Sequence, residues 1–430
     1  MTPDSLSAII SCISGYDPDA MTVPQAQQII QDFITPLHAV EQVAIRSALD
    51  RVLARDVISA IDVPANDNSA MDGYALRGDD LDQPFPLQLG IVGSVHAGQR
   101  FTGKVGPGEC VRIMTGAAMP ADCDTVIPQE FTHQQSPQDD HVTIPAASVR
   151  RGDNRRLRGE DLRLGQVALR GGKLLRPADI GLLASLGVPE IAVQRRLRVA
   201  FFSTGDELRS VGETLDAGCV YDSNRYTLYG MLARLGCDMI DMGVVKDDPI
   251  AMEAAFRSAC EQADAVITSG GVSVGAADYT KQTMSKLGEM LFWKIGMRPG
   301  RPMAFGRISS QGRSAYLFGL PGNPVAVMVS FYFFVRDALL RMMGADAAPL
   351  PRLSVPSLSA IRKKPGRTEY QRGILALDAS GHWQVRLTGA QGSGILRSMS
   401  DANCIIVLND AQGDVVAGDP VQVVLFDGLT

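Results

Sequence analysis

The chain has 430 residues, 45% of them hydrophobic and 20% charged, with a formal net charge of −6 and a sequence pI of about 5.5. That is the balance of a soluble globular protein with room for about two to four domains, and it supplies no global field for nucleic acid or an anionic membrane. An anionic ligand must therefore be held by local donors, and acids crowded beside it would need a cation.

Seven cysteines are an odd count for a disulfide framework, and none form a Cys-x-x-Cys pair. No two of the five histidines lie close enough to Cys110 and Cys123 to complete a zinc site, so buried reduced thiols are expected. The longest dense apolar run, residues 325–335, is interrupted by Ser330 and is too short to cross a bilayer. The first residues lack the basic start and cleavage pattern of a signal peptide, which points to a cytoplasmic protein.

Residues 1–20 show no clear pattern and read as a frayed extension. Residues 23–37 form an amphipathic helix ending near Pro36, and residues 42–61 are expected to hold a further helix and a turn. From Pro64 the texture changes to short strands with frequent Gly and Pro, as at 87–93 and 109–114. This predicts a small β domain to about residue 145, with 136–140 as an exposed hairpin tip. The basic run Arg150-Arg-Gly-Asp-Asn-Arg-Arg-Leu-Arg158 has two readings, a solvated connector or guanidiniums reaching toward ligand phosphates. A helix with a capping signal at Asp179 covers 177–186. Residues 346–356 read as a Pro-rich linker. Beyond it, alternating runs at 372–377, 384–388, 404–408 and 421–426 predict a C-terminal β-barrel or sandwich.

The region 196–345 carries four corners of one build. Residues 265–268 suit a buried strand. Ser269, Gly270, Gly271, Ser273 and Gly275 follow as a loop with little side-chain bulk, whose N–H groups can converge on an anion. Asp278 then stands at an N-cap position before a helix. Strand, small loop and helix start make a phosphate-binding corner, with a plain tight turn as the alternative. The loop has neither the Gly-Lys-Ser/Thr of an ATPase P-loop nor the GxGxxG of a dinucleotide fold. A second corner runs from a strand at 314–319 through Leu320-Pro-Gly-Asn-Pro324 into a helix, with Asn323 fitting the cap and Pro324 the first turn. A third leads into Thr204-Gly-Asp-Glu-Leu208, and a fourth into Lys246-Asp-Asp-Pro249. Strands alternating with helices predict a doubly wound, mainly parallel α/β sheet with ligands at the carboxyl ends of its strands. Glu207, Asp247, Asp278 and the 270–275 loop then share one rim.

Each acid also has a plainer reading. Asp247 or Asp248, and Asp278, fit helix caps; Asp72 in Ser69-Ala-Met-Asp-Gly-Tyr74 fits a turn aspartate bonding its own backbone; Thr115 fits a strand-end hydroxyl. Caps explain one acid at a time. Acids concentrated beside anion loops suit a Mg²⁺–phosphate site, because Mg²⁺ takes one or two carboxylates with waters and substrate phosphates. In Phe292-Trp-Lys-Ile-Gly-Met-Arg-Pro-Gly-Arg301, alternation puts Lys294 and Arg298 on one face of an extended segment.

The corners at 204–208, 269–281 and 319–324 resemble those of the MoeA family of molybdopterin molybdenumtransferases and of the related C-terminal domain of gephyrin. The resemblance continues through Ala48-Leu-Asp-Arg-Val-Leu-Ala-Arg-Asp56, Asn68-Ser-Ala-Met-Asp-Gly-Tyr-Ala75 and Arg112-Ile-Met-Thr-Gly-Ala117. It covers nearly everything from about residue 22 onward. It implies an α/β multidomain protein: an N-terminal helix (22–40) packed on the α/β domain, an elongated α+β linker and dimer domain (41–62 and 150–195), a small β domain (63–149), a molybdopterin-binding-like α/β domain (196–345) and a C-terminal β domain (350–430). A homodimer is implied, its cleft joining the small β domain of one subunit to the α/β domain of the other.

The implied reaction is the Mg²⁺-dependent conversion of adenylated molybdopterin and molybdate into molybdenum cofactor and AMP, with docking to other proteins of that pathway left open. The resemblance points to Asp72, Thr115, Glu207, Asp247 and Asp278 as catalytic positions, with Glu207, Asp247 and Asp278 also holding the metal. Ser269, Gly270, Gly271, Ser273, Gly275, Lys281, Lys294, Arg298, Arg301, Pro321, Gly322, Asn323 and Pro324 would bind the substrate and its phosphates. At 298 and 301 the bacterial pattern of the family has Lys, so a planar fork here replaces a point charge. Two rivals stay open: an ATP-dependent adenylyltransferase of the related MogA type and a non-catalytic, gephyrin-like scaffold. The upstream motifs and C-terminal β domain count against the first, and the lack of a long disordered linker counts against the second.

Overall fold

Side chains of the strand Arg198–Thr204 alternate between two cores: Val199 and Phe201 pack to one side, Ala200 and Phe202 to the other. A strand buried on both faces belongs at the centre of a doubly covered sheet. In the computed structural model, which describes residues 5–11, 13, 15–134, 136, 139–271, 278–346 and 349–428 (278–280 and 428 by backbone only), it is the second of six strands. We label them β1 (Arg198–Thr204), β2 (Asp238–Val245), β3 (Ala265–Ser269), β4 (Gly288–Lys294), β5 (Pro302–Ser310) and β6 (Arg313–Leu320).

Their order is β2-β1-β3-β6-β5-β4. The first four run parallel, and β5 is antiparallel to both β6 and β4. Two reversals restore direction, so β4 points the same way as β6. Helix α1 (Ser223–Arg234) and α4, which starts at Pro324–Ser330, cover one face. Helices α2 (Pro249–Gln262) and α3 (Asp278–Leu287) cover the other. Helix α4 passes through a π-helical turn at Phe331–Val335 before ending at Arg336–Met342.

The N-terminal helix Val23–Phe33 lies on the α4 face. Thr22 and Gln25 form a capping box at its start, and Val23, Ala26, Ile29, Ile30 and Phe33 make its buried stripe. The described residues before it are not a frayed extension. Leu6 and Ile9, in the short helix Leu6–Ser11, and Met21 are buried in the same core. The expected helix within 42–61 is also absent. Residues 40–58 instead pair as strands and bridges with 167–194, and Leu53 is held between Lys173 and Val193. Only the 3₁₀ turn Ile45–Ser47 is helical there, because strand pairing with distant residues of the same chain overrides local propensity.

The small β region has the order Thr125–Pro128, Gly73–Leu76, Glu109–Ile113, Leu87–Val95, His141–Ile144. Gly73 opens its strand where any Cβ would strike the Ile127 carbonyl. The expected hairpin tip at 136–140 lies partly outside the described residues.

The C-terminal region is a β sheet ordered Met297–Arg298, Thr368–Leu377, Cys404–Leu408, Pro420–Leu425, Leu353–Pro356, with Trp383–Leu387 added on Thr368–Leu377. A bridge from Ser357 to Val385 closes it into a small barrel. The linker is thus shorter than its prolines suggest, since strand begins at Leu353. Tyr370 stacks on Phe333 of the π-helical turn, with ring centroids 4.2 Å apart, and so joins the barrel to the main core.

Among the described residues every cysteine is free and all but Cys219 are buried. Burial pushes Cys110, Cys123, Cys237 and Cys404 up to about 12. No helix of the described residues is long and apolar enough to cross a membrane.

Candidate functional site

The carboxyl ends of β2, β1, β3 and β6 lie on one rim, joined by the carboxyl end of β4 and the start of β5. With strands about 4.8 Å apart, the rim spans roughly 24 Å from Asp247 after β2 to Lys294 on β4. In strand order it reads Asp247, Glu207, Gly270, Gly322, Arg301, Lys294. Acids therefore occupy one end, glycine corners the middle and cations the other end.

At the acidic end, the N–H of Asp247 approaches Asp206 Oδ1 at 3.4 Å. Burial first, then the charges of Asp206 and Glu207, raise the Asp247 carboxyl above the usual aspartate range. Asp248, by contrast, is a helix cap: its Oδ2 accepts from the Ala251 N–H at 2.9 Å and starts α2. Of the two adjacent aspartates, Asp248 is the cap of α2 and Asp247 is not. Asp206 is a member that sequence reasoning passed over in favour of Glu207. The side chain of Asp278 lies outside the described residues, though its backbone opens α3. Among the described residues no three His, Cys, Asp or Glu groups form a ready-made metal cage. Mutually repelling hard oxygen donors nevertheless fit Mg²⁺, which keeps waters and takes few protein ligands.

In the middle, Gly270 has φ +89° and sits where a Cβ would strike the Thr204 carbonyl. Its N–H donates to Leu320 O at 3.1 Å, which ties the β3 corner to the β6 corner. Gly271 has φ +68°; Ser273 and Gly275 lie outside the described residues. Gly322 faces Gly270 Cα, and its carbonyl accepts from Asn224 Nδ2 at 2.7 Å. Pro321 and Gly322 form the turn and Pro324 the first helical residue, as expected, but Asn323 makes no side-chain cap bond.

Beneath these corners lies a polar cluster missed in the sequence. Ser203 Oγ donates to Asp222 Oδ1 at 3.0 Å and lies 2.9 Å from Ser269 Oγ. Asp222 is 1% exposed and caps α1 through the Arg225 N–H. Among the described residues Thr204 Oγ1 and Asn224 Oδ1 are buried without a hydrogen-bond partner, the state expected of groups awaiting a ligand or water. Asp222-Ser-Asn224 follows the short strand Val220–Tyr221, and only that cap spacing could have signalled it.

At the basic end, Lys294 forms an ion pair with Asp19 at 2.6 Å, and Arg301 lines the same cavity of about 500 Å³. Lys281 sits over the Phe292 ring, 5.6 Å from its centroid. Lys294 and Arg298 do not share a face as alternation predicted. Lys294 ends β4, the chain turns at Ile295-Gly296, and Met297–Arg298 pairs with the C-terminal sheet. Arg298 therefore lines a separate cavity of about 210 Å³ with Arg372. Arg372 is 1% exposed, donates to Ser398 Oγ and Gly392 O, and is pushed down to about 10 by burial and then by Arg298. The sequence offered Arg372 only as one residue of a strand.

Asp72 and Thr115 are exposed and bonded to each other: Asp72 Oδ1 accepts from the Thr115 N–H and hydroxyl. These bonds, the backbone one first, hold the Asp72 carboxyl below the usual range. Among the described residues no hydrogen bond or ion pair joins either to the rim. In the 150–158 run, Arg151 pairs with Asp79 and Asp124, Arg155 with Asp67, Arg156 with Glu160 and Arg158 with Asp62. The run is a salt-bridged connector.

Comparison with known proteins shows the family of the chain. Families described as MoeA N-terminal region (domain I and II), probable molybdopterin binding domain, and MoeA C-terminal region (domain IV) match residues 21–187, 200–341 and 354–426. The chain is 40% identical to a molybdopterin molybdenumtransferase of Haemophilus influenzae over 95% of its own length and 99% of that protein. It is 36% identical to one from Nostoc, covering 89% and 88% of the two chains. The crystal structure of a molybdopterin biosynthesis moeA protein from Pyrococcus horikoshii OT3 superposes with a TM-score of 0.80 at 27% identity, over 95% of this chain and all of that one.

Proposed function

The chain belongs to the MoeA family of molybdopterin molybdenumtransferases, enzymes of molybdenum insertion in cofactor biosynthesis, and we propose that its sheet rim converts adenylated molybdopterin and molybdate into molybdenum cofactor and AMP. The observation that carries this reading is the polarity of the rim, acids and cations separated by glycine corners. A long ligand with a phosphoanhydride at its middle matches that order.

Glu207 and Asp247, with Asp278 at the start of α3, would hold Mg²⁺; Asp206 adds negative charge beside them. When bound, Mg²⁺ supplies neutralisation of phosphate charge and polarisation of the leaving group. The chain's own residues do the rest. Gly270 and Gly322 keep the corners bare for close approach, and Lys281, Lys294 and Arg301 supply fixed positive charge. Cleavage of a phosphoanhydride needs positioning and charge stabilisation more than a protein nucleophile. Molybdate, as a substrate, would be taken by Arg298 and Arg372, whose cavity suits a small oxyanion.

Asp72 and Thr115 would complete the cleft from the partner subunit of a homodimer. Their exposure, and the absence of any described bond to the rim of their own chain, support that arrangement. Reduced, buried thiols support a cytoplasmic setting.

The test mixes purified protein with adenylated molybdopterin, Mg²⁺ and molybdate and measures AMP. Strictly molybdate-dependent AMP release is expected. Absence of release, or ATP consumption with plain molybdopterin, overturns the reading.

A further inference from the structure

The segment before the N-terminal helix is fixed across the basic end of the rim. The Lys294 N–H donates to Pro18 O at 2.8 Å and the Gly296 N–H to Met21 O at 2.7 Å, while Met21 and Ile295 form a parallel bridge. Asp19 lies between these two anchors, so the backbone holds it at the mouth of the cleft. There it pairs with Lys294 at 2.6 Å. Lys294, first by hydrogen bond and then by charge, and more weakly Arg301 and Lys281, hold the Asp19 carboxyl below its usual range.

The cavity beneath has about 500 Å³ and is lined by Arg352 and Arg367 of the C-terminal region as well as Lys294 and Arg301. That volume is in the range of small-molecule sites. Arg367 is paired with Glu369 at 2.9 Å. Among the described residues no ion pair engages Arg301 or Arg352. The cleft thus sets four cations against Asp19 and Asp410; its one lysine is covered by a carboxylate of the same chain, and among the described residues Arg301 and Arg352 are unpaired.

We propose that Asp19 is an internal stand-in for a ligand's oxyanion group: it competes for Lys294 and limits the cleft to multiply charged tetrahedral oxyanions, which can engage Arg301 and Arg352 at the same time. The proposal rests on the reading of Lys294 and Arg301 as anion-binding residues and adds the competitor and the C-terminal arginine. The Asp19 side chain is 70% exposed, so it can swing aside while the Pro18 and Met21 anchors stay in place. A monoanion that merely exchanges for one carboxylate gains little. A dianion keeps the Lys294 contact and adds the two arginines. The shared chemistry, a tetrahedral dianion, describes molybdate, inorganic phosphate and the phosphate of AMP alike.

The experiment is calorimetric titration of the full-length protein with inorganic phosphate, molybdate, AMP and formate, in wild type, Asp19→Asn and Arg352→Gln. Asp19→Asn is expected to tighten binding of dianions by about twofold to fivefold, the range set by an exposed ion pair, and to relieve the discrimination against formate. Arg352→Gln is expected to weaken dianion binding. A largest response with AMP or phosphate identifies a nucleotide phosphate as the natural group; a largest response with molybdate moves the molybdate site from Arg298 and Arg372 to this cleft. Unchanged or weaker dianion binding in Asp19→Asn, with a melting temperature equal to wild type, overturns the proposal, as does indifference to Arg352→Gln. Wild-type protein that releases AMP yet shows no Asp19 effect would sink this inference alone; loss of AMP release would sink the transferase reading.

Discussion

Asp72 Oδ1 accepts both the Thr115 N–H, at 2.7 Å, and the Thr115 hydroxyl, at 2.8 Å. One oxygen is thereby locked and the other is left facing solvent on an exposed surface. The aspartate is neither bonding its own turn nor left loose.

This pair has a pH signature. A carboxyl held low in the folded state adds stability that is present above its unfolded pKa and lost as pH falls through the folded one. Thr115→Val removes the hydroxyl bond and keeps the backbone bond. The carboxyl of Asp72 should move up toward the ordinary aspartate range, by carbon NMR titration, and the acid limb of the unfolding curve below about pH 4 should lose part of this contribution. An unmoved titration would mean that the backbone bond alone sets it.

Asp247 and Asp248 should separate chemistry from capping. Asp248→Ala removes the cap of α2 and should cost about 1 kcal/mol with turnover retained. For Asp247 the sign reverses. Its raised pKa means stability that is complete below the unfolded aspartate value and lost as pH rises through the folded one. Asp247→Asn should therefore melt no lower than wild type at pH 7, yet release less AMP. Melting curves and AMP assays on the same samples decide between the roles; a destabilised Asp247→Asn with normal turnover would reject the assignment.

Magnesium should stabilise the folded protein through the same acids. A cation bound only to the native state raises the melting temperature by mass action. Millimolar Mg²⁺ added after chelation should raise the wild-type melting temperature, and should raise it less in Glu207→Gln and Asp247→Asn. Equal shifts in all three would place the ion elsewhere.

Two glycines of the rim should fail differently. Gly270→Ala puts a Cβ against the Thr204 carbonyl at a positive φ; the expected loss is at least about 2 kcal/mol in urea unfolding. Among the described residues, the new Cβ in Gly322→Ala meets only Gly270 Cα, at an ordinary 3.9 Å. That variant should fold normally and bind adenylated molybdopterin more weakly, because the corner is narrowed. Wild-type affinity in Gly322→Ala would show that ligand does not approach there.

The large sheet was legible because each of its parallel strands is an apolar run that ends in small or acidic loop residues before the next helix. Lys294 and Arg298 were wrongly placed together because alternation assumes a single strand, whereas the chain changes sheets at Gly296. The helix expected within 42–61 failed for a related reason, since Val52 and Leu53 are claimed by strands more than a hundred residues away. Asp19 and Arg372 carried no local signal at all. Their character comes from a lysine, an arginine and a loop that only folding brings near.

Met297–Arg298 lies on the route from β4 to β5 yet hydrogen-bonds with Thr368–Leu377. The C-terminal barrel is thus incomplete as a genetic unit: cut at its linker, it would leave an edge strand behind in the upstream piece. A recombinant exchange of this barrel between relatives would have to carry residues 297–298 along with it, or leave an open sheet edge ready to pair with another molecule.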